Sequence, residues 1–271
     1  MIYKKEGNMM DFIEKLIEDI WFGEKTDLFK DESNKCNISN QRERIQLLNL
    51  INDFKKGDFS NKEDLYMLLN TSKDKDLLNV AIRLFLAIAS NKDFSKINDF
   101  LCNAEEESIS VFIAFAEESL SYNIIPSLLG LLSVWEDTNI EVDICQTIGS
   151  IIGYGDAAYE ICSEDELGKA FVEFCKDKDL SKYYFNNKLV FIGDLTKELI
   201  EITMSARYND CELEEYTLPS ILSKYSGIKC PVEYYTKVDD DAYGKTIGYV
   251  KQIAKMNWEK GCKYFYGNKI E

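Results

Sequence analysis

The chain has 271 residues, of which 45% are hydrophobic and 30% are charged, and 48 Asp and Glu residues against 32 Lys and Arg residues give a formal net charge of −16. This composition is typical of a folded globular protein, and the length is enough for one large core or two modest ones. The acidic balance argues against nucleic acid or an anionic membrane as the partner, because both bind clustered cations, and it favours a basic protein partner.

Cysteine and histidine usage argues against a metal site. The eight cysteines stand singly, with no Cys-x-x-Cys pair, and the chain contains no histidine. A zinc site would need cysteines from distant positions, so we expect no metal, no cofactor, and reduced thiols that pack as small hydrophobic residues. The N-terminal segment is amphipathic and charged, and the longest apolar run, from Ile124 to Trp135, is too short to span a bilayer. The expected location is the cytoplasm.

Helical periodicity dominates the first two thirds of the chain. Apolar residues recur every three or four positions, which is the pattern of one buried helix face. Three segments read as capping boxes that begin helices, at Ser60–Glu63, Thr138–Glu141 and Ser163–Glu166. The pattern predicts helices at residues 9–21, 41–55, 60–69, 75–90, 93–102, 105–119, 126–135, 139–152 and 164–176.

Beyond Asp177 the pattern changes, and aromatic residues cluster between shorter helical segments. We predict helices at residues 194–207, 219–225 and 241–259, and a docked tail at 261–267. The segment from Lys229 to Tyr235 is the best strand candidate, because alternation and aromatic residues favour extended structure. The numerous tyrosines are expected to be mostly core residues, with a minority exposed as binding anchors.

Alternate helices begin near residues 75, 106, 138 and 164, a spacing of about thirty residues that indicates stacked helix pairs. The region from about residue 60 to residue 176 resembles a HEAT or armadillo helical array, although its period is shorter than those families usually show. An irregular helical bundle is the alternative. We predict an all-α fold, an α-solenoid or helical array with a helical C-terminal subdomain that includes at most a short strand. The predicted segments are 1–59, N-terminal helices that cap the array; 60–176, the repeat core; and 177–271, the C-terminal subdomain.

Residues 97–168 contain 15 Asp and Glu residues and not one Lys or Arg. Three acidic clusters in this stretch recur in phase with the helix pairs, so they are expected along one edge of the array. Carboxylates at helix N-termini also complement the helix dipole, which explains the acids but not the missing cations. The candidate partner-binding residues, here and in the C-terminal subdomain, are Glu105, Glu106, Glu107, Glu136, Asp137, Asp156, Glu164, Asp165, Glu166, Glu214, Glu215, Asp239, Asp240 and Asp241.

Two further patterns are weaker candidates for sites. Asp239–Asp241 offer carboxylates for a divalent cation, but a helix N-cap is the simpler reading. Gly153-Tyr154-Gly155 lacks the strand and the Lys-Ser/Thr pair of a phosphate loop, so it reads as a turn. No catalytic residue is predicted, because histidine is absent and no spacing selects a carboxylate pair.

A small, acidic, helical chain of this kind resembles the immunity proteins of bacterial polymorphic-toxin and contact-dependent inhibition systems. The segment from Trp258 to Gly267 is similar to the endings of some helical members. The resemblance implies a bacterial, non-enzymatic protein that binds and neutralises one cognate toxin domain, often a cationic nuclease, by covering its active surface. The alternative is a HEAT-like scaffold or regulatory adaptor that binds a peptide or protein in a groove. A carboxylate-dependent enzyme is the third interpretation.

Overall fold

A computed structural model describes Phe22, residues 38–153 and residues 164–270, without the side chains of residues 38–40, 164 and 165. The helix predicted at residues 9–21 lies outside these residues. Eleven α-helices occupy the described ranges, and three short 3-10 turns, at Phe94–Ile97, Ala116–Ser119 and Tyr122–Ile124, connect some of them. The helices are α1 (Ile38–Lys55), α2 (Lys62–Thr71), α3 (Lys75–Ile88), α4 (Asn98–Leu101), α5 (Glu106–Phe115), α6 (Ile125–Leu132), α7 (Asn139–Ile152), α8 (Glu164–Cys175), α9 (Ile192–Tyr208), α10 (Thr217–Ser226) and α11 (Asp240–Ile253).

Helices α1 to α8 form a helical array. Helices α1, α3, α5 and α7 pack side by side in that order, and α2, α4, α6 and α8 pack against them or against one another. Helix α3 is central, because nearly every residue from Leu77 to Ile88 is buried. An all-round apolar helix is stable only inside a protein, so its sequence explains its place. The predicted all-α array is confirmed, whereas a likeness to HEAT or armadillo proteins in particular stays a prediction.

Helix starts follow capping chemistry, although not always where the sequence suggests it. The carboxylates of Asp74 and Asp239 accept hydrogen bonds from backbone N–H groups in the first turns of α3 and α11. The N-cap interpretation of Asp239 is therefore confirmed. The capping box predicted at Ser60 is wrong, because its hydroxyl donates to Asp58 instead. The hydroxyl of Thr138 likewise donates to the carbonyl of Trp135 and does not cap α7.

Helix α11 ends at Ile253, six residues before the predicted end at residue 259. The indole N–H of Trp258 turns back and donates to the carbonyl of Ile253 at 2.9 Å. The last turn of a helix leaves its carbonyl groups without intrahelical donors, so this bond stabilises the earlier end.

Residues 177–270 form what we call the C-terminal unit. Its helices α9, α10 and α11 pack around a second buried cluster that includes Leu199, Leu222 and Ile253. Phe265 and Ile270 from the same unit are buried in the core of the array instead. The two parts share side chains, and the predicted boundaries at residues 59 and 176 stay predictions.

Two antiparallel hairpins of the C-terminal unit attach it to the array. In the first, β1 (Tyr184–Phe185) pairs with β2 (Lys188–Leu189), and in the second, β3 (Tyr264–Phe265) pairs with β4 (Asn268–Lys269). Both turns have two residues with positive φ, as in the tight turns that suit strand twist. Asn187 of the first hairpin donates its amide N–H to the carbonyl of Ile152, which ends α7. Asn268 of the second hairpin donates to the carbonyl of Lys55, which ends α1.

The strand predicted from Lys229 to Tyr235 is wrong. The segment is a loop, and only an isolated bridge between Glu212 and Lys237 lies near it. Pro231 lacks the N–H that a strand ladder needs, and this was the signal against a strand.

A buried ion pair joins the array to the C-terminal unit. The ammonium group of Lys224 in α10 donates to the carboxylate of Glu118, and both side chains are almost fully buried. Arg83 lies beside them, with its guanidinium group 3.7 Å from the ring centroid of Phe115 and donating to the hydroxyl of Tyr216 at 2.9 Å. Burial raises the pKa of the Glu118 carboxyl, but the charges of Lys224 and Arg83 outweigh burial, and its pKa is lowered.

Lys263 is a second buried lysine at this junction. Its amino group donates to the carbonyls of Leu86 and Ala89, at 2.6 and 3.1 Å, where α3 ends. Burial lowers the pKa of Lys263 well below its ordinary value. Carbonyl groups at a helix C-terminus carry partial negative charge, so this is a place where a buried amino group finds acceptors.

One cysteine departs from the expected reduced state. Cys145 in α7 is disulfide-bonded. Cys102, Cys175, Cys211, Cys230 and Cys262 are free thiols, as expected, but Cys102 and Cys211 are exposed and do not pack as small hydrophobic residues.

Gly57 provides a stability test of the second hairpin. Its φ of +84° suits glycine, and a Cβ atom there would lie 2.7 Å from Asn268 Oδ1. We expect Gly57→Ala to lower the free energy of unfolding by about 1–3 kcal/mol in urea denaturation. Gly244→Ala is the control, because Gly244 lies in α11 with open space around its Cα. That variant should gain up to about 1 kcal/mol from helix propensity, and equal effects of both changes would contradict the role of Asn268.

Candidate partner-binding surfaces

Helices α3, α5 and α7 run in the same direction, which brings their first turns to one edge of the array. At this edge the ammonium group of Lys75, in α3, lies 2.6 Å from the carboxylate of Glu105, the residue before α5. At the opposite edge Ser150, near the end of α7, donates its hydroxyl to Glu117, just after α5. The clusters that precede α5 and α7 therefore lie at the same edge of the array, and we call them the acid edge: Glu105, Glu106, Glu107, Glu136 and Asp137.

The third predicted cluster begins α8. Near the end of that helix, the ring of Phe174 contacts the ring of Tyr122 edge to face at 4.9 Å. Helix α7 ends at the same place, because Asn187 contacts both Tyr122 and the carbonyl of Ile152. The first turn of α8 starts away from this junction, with Glu166 exposed. Asp156 and the side chains of Glu164 and Asp165 lie outside the described residues, and their part in binding stays a prediction.

Residues 97–168 contain no Lys or Arg, but the fold brings a cation from outside this stretch next to its carboxylates. Lys75 pairs with Glu105 and approaches Glu107 at 3.8 Å, and its hydrogen bond and charge lower the pKa of Glu105. Glu106, Glu136 and Asp137 are exposed and make no ion pair with any cation of residues 38–153 and 164–270. The charge of the acid edge is therefore partly compensated near α5 and uncompensated at the start of α7.

Two aliphatic side chains are exposed close to Glu136 and Asp137 in sequence. Val134 is 63% exposed in the connection between α6 and α7, and Val142 is 42% exposed in the first turns of α7. Carboxylates around a small apolar area are compatible with a protein interface, which combines an apolar centre with a polar rim.

A cavity beside Glu117 is the candidate site for a carboxylate-dependent enzyme. Burial raises the pKa of Glu117, and the charges of Glu215 and Glu118 add to the effect, against a hydrogen bond from Ser150. Acids with raised pKa values in clefts are typical of catalytic sites. This cavity, however, measures about 20 Å³, which is room for one water molecule and not for a substrate.

The candidate carboxylates of the C-terminal unit form a separate group, and most of them have local partners. Asp239 caps α11, Asp240 pairs with Arg207 at 2.6 Å, and Asp241 pairs with Lys245 at 2.6 Å. Glu215 accepts a hydrogen bond from the backbone N–H of Leu218 at the start of α10. Glu214 is exposed. The C-terminal unit joins the array where α1, α3 and α7 end, whereas the acid edge lies where α3, α5 and α7 begin, so the two groups do not form one continuous cluster.

Three tyrosines are exposed on the C-terminal unit, and they belong to the exposed minority that the sequence predicts. Tyr208 is 90% exposed at the end of α9, and Tyr235 and Tyr234 are 66% and 39% exposed in the loop before α11. Tyr208 was not predicted as an exposed residue, because it comes directly after the helix predicted at residues 194–207 and is not part of its apolar face. Adjacent exposed rings such as those of Tyr234 and Tyr235 are a feature of binding surfaces, whereas a single exposed ring such as that of Tyr208 is common on protein surfaces.

Neither a metal-binding cluster nor a membrane-spanning helix occurs in the described part of the chain. No group of three or more Cys, Asp and Glu side chains in it could hold a metal ion. None of its helices is long and apolar enough to cross a membrane.

The fold and these surfaces define a mostly α-helical array protein with exposed carboxylates and tyrosines. A family model described as Immunity protein 47 matches residues 16–270, so the chain belongs to this family of immunity proteins. No curated protein and no solved structure matches the chain.

Proposed function

We propose that this immunity protein binds a cognate toxin domain of basic character and neutralises it by covering its active surface, in the cytoplasm and without catalysis. The observation that carries the proposal is the uncompensated part of the acid edge, Glu106, Glu136 and Asp137. Carboxylates held close together repel one another and oppose folding, so a surface that keeps them has a use for their field. Attraction of a basic partner is such a use, whereas a net charge of −16 would repel nucleic acid and anionic membranes.

The mechanism is physical and requires no reactive group. The field of the acidic surface attracts a cationic domain from a distance and raises the association rate, by about tenfold to a thousandfold in favourable cases. Contact then buries the toxin surface, so its substrate is excluded for as long as the complex lasts. Charge complementarity of this kind also rejects acidic competitors.

The test is a charge reversal of the acid edge. We expect Glu106→Lys/Glu136→Lys to slow association with the toxin domain about tenfold at low salt and to flatten its salt dependence. The probe is the C-terminal domain of the protein encoded directly upstream of this chain, expressed with it and separated in denaturant. Association rates are measured by stopped flow over a range of salt concentrations, and circular dichroism checks the fold.

A matched control changes the same charge elsewhere. Asp64 and Asp177 are exposed, one in the first turn of α2 and the other after α8. Asp64→Lys/Asp177→Lys should slow association less than the edge variant. Equal effects would remove the special role of the edge, and tight binding that does not depend on salt would favour a scaffold that binds its partner in a groove. No binding or protection by the wild-type chain would refute the proposed function itself.

A further inference from the structure

The loop before α11 holds two adjacent tyrosines, and one of them has a backbone conformation that favours glycine. Tyr235 has a φ of +64°, in the left-handed region that favours glycine. It lies in a tight turn closed by the N–H of Thr236, which donates to the carbonyl of Glu233 at 2.9 Å, and by the Glu233 N–H, which donates to Thr236 Oγ1. Glycine or asparagine would form this turn at lower conformational cost. The structure therefore carries a bulky aromatic side chain where a small residue would be preferred.

The turn is fixed from one side by the preceding loop. The N–H of Tyr235 donates to the carbonyl of Leu213, and the N–H of Leu213 donates to the carbonyl of Thr236, each at 2.9 Å. Leu213 is buried, so it ties both segments to the core of the C-terminal unit. The rings of Tyr234 and Tyr235 have centroids 4.1 Å apart and are tilted by 52°. This arrangement presents a rigid aromatic surface, with Tyr235 66% exposed.

Carboxylates surround the aromatic pair. Glu212 and Glu214 flank Leu213 and are exposed. Glu233 is the first residue of the turn at residues 233–236, which we call the tyrosine turn. Lys229 approaches Glu233 only at 4.0 Å, and Lys237 pairs with Asp210. An exposed aromatic face with carboxylates beside it is complementary to a guanidinium group, which stacks on rings and pairs with carboxylates. The same unit already contains this stacking, with Arg207 5.1 Å from the ring centroid of Tyr243.

We propose that Tyr234 and Tyr235 anchor the contact with the toxin domain, by stacking on an arginine side chain of its surface while Glu212 and Glu214 pair with that surface. The inference rests on the proposed function and adds the place of contact to it. Tyrosine is enriched among the few residues that carry most of the binding energy at interfaces. A second copy of this chain is not the occupant, because both copies would bring carboxylates together. The acid edge then contributes to approach, and the tyrosine turn contributes to the lifetime of the complex.

The experiment measures dissociation of the complex with the toxin domain used above. Tyr235→Asn removes the ring but keeps a residue that tolerates positive φ, and Tyr235→Phe keeps the ring. We expect Tyr235→Asn to increase the dissociation rate about tenfold to a hundredfold, with little change in the association rate. Tyr235→Phe should stay within about threefold of wild type, because the stacking ring remains. The thermal stability of Tyr235→Asn should equal or exceed that of wild type.

Tyr208→Ser is the matched control, because Tyr208 is more exposed than Tyr235 and lies outside the turn. It should leave the dissociation rate unchanged. If Tyr235→Asn dissociates like wild type, or if Tyr208→Ser has the same effect, the tyrosine turn is not the anchor, although the proposed function still stands. If the wild-type chain forms no complex, the proposed function fails first and the inference fails with it.

Discussion

Glu118→Gln is expected to lower the free energy of unfolding by about 3–5 kcal/mol, because it leaves a buried cation without its counter-charge. Lys224 is almost fully buried and its ammonium group donates to Glu118. Arg83 is also buried, and its Nε and Nη1 atoms have no hydrogen-bond partner among the described residues. The Glu118 carboxylate therefore balances the charges of two cations, and a neutral amide of the same shape balances neither. Urea denaturation followed by circular dichroism measures the loss.

A double-mutant cycle separates the pair from its surroundings. Lys224→Met alone should cost less than Glu118→Gln, because Arg83 remains beside the carboxylate and partly balances it. The double variant should recover part of the loss, since no lysine charge is then left buried. Additive losses in the cycle would mean that the two side chains do not act as a pair.

Lys263→Ala is expected to cost about 3–5 kcal/mol as well, for a different reason. The substitution empties a fully buried position and deprives the carbonyls of Leu86 and Ala89 of their donor. Lys263→Met fills the space but restores no donor, so its loss should be smaller. A cost for Lys263→Met as large as that of Lys263→Ala would mean that packing contributes little at this position.

The same residue predicts a pH dependence. The pKa of Lys263 is lower in the folded state than in the unfolded chain, so between these two values only the unfolded chain carries the proton. The free energy of unfolding then rises with pH in this window. We expect wild type to be more stable at about pH 9 than at about pH 7, with a weaker rise in Lys263→Met. Some rise should remain, because burial also lowers the pKa values of Lys55 and Lys224, each to about 8.

Helix positions were predictable because the apolar period is a local property. Helix α7 was predicted at residues 139–152 and begins and ends there, and α3 begins at Lys75 as predicted. The predictions failed where a group outside the helix or hairpin decides the local structure. The indole of Trp258 ends α11 early, and the two hairpins are held by helix ends far away in sequence. No periodicity encodes such contacts.

The candidate surfaces were predictable only in part, for a similar reason. The acidic clusters were predicted from the sequence. The ion pair that partly compensates their charge was not, because Lys75 and Glu105 meet only where two neighbouring helices pack together. The exposure of Tyr234 and Tyr235 was not predicted, because these residues lie in a segment whose alternation resembles a strand. Tyr235 has a positive φ, and no pattern in the residues indicates that a tyrosine occupies a position suited to glycine.

The second hairpin has a consequence for the order in which the protein is completed. Asn268 of the hairpin bonds to Lys55, 213 residues earlier in the chain, and Lys263, directly before the hairpin, bonds to Leu86, 177 residues earlier. Closing loops of this length is slow, and during synthesis a domain emerges from its N-terminus first. The ends of α1 and α3 thus lack these bonds until residues 263–268 have left the ribosome. A nascent chain would acquire the stability that these bonds provide in one late step.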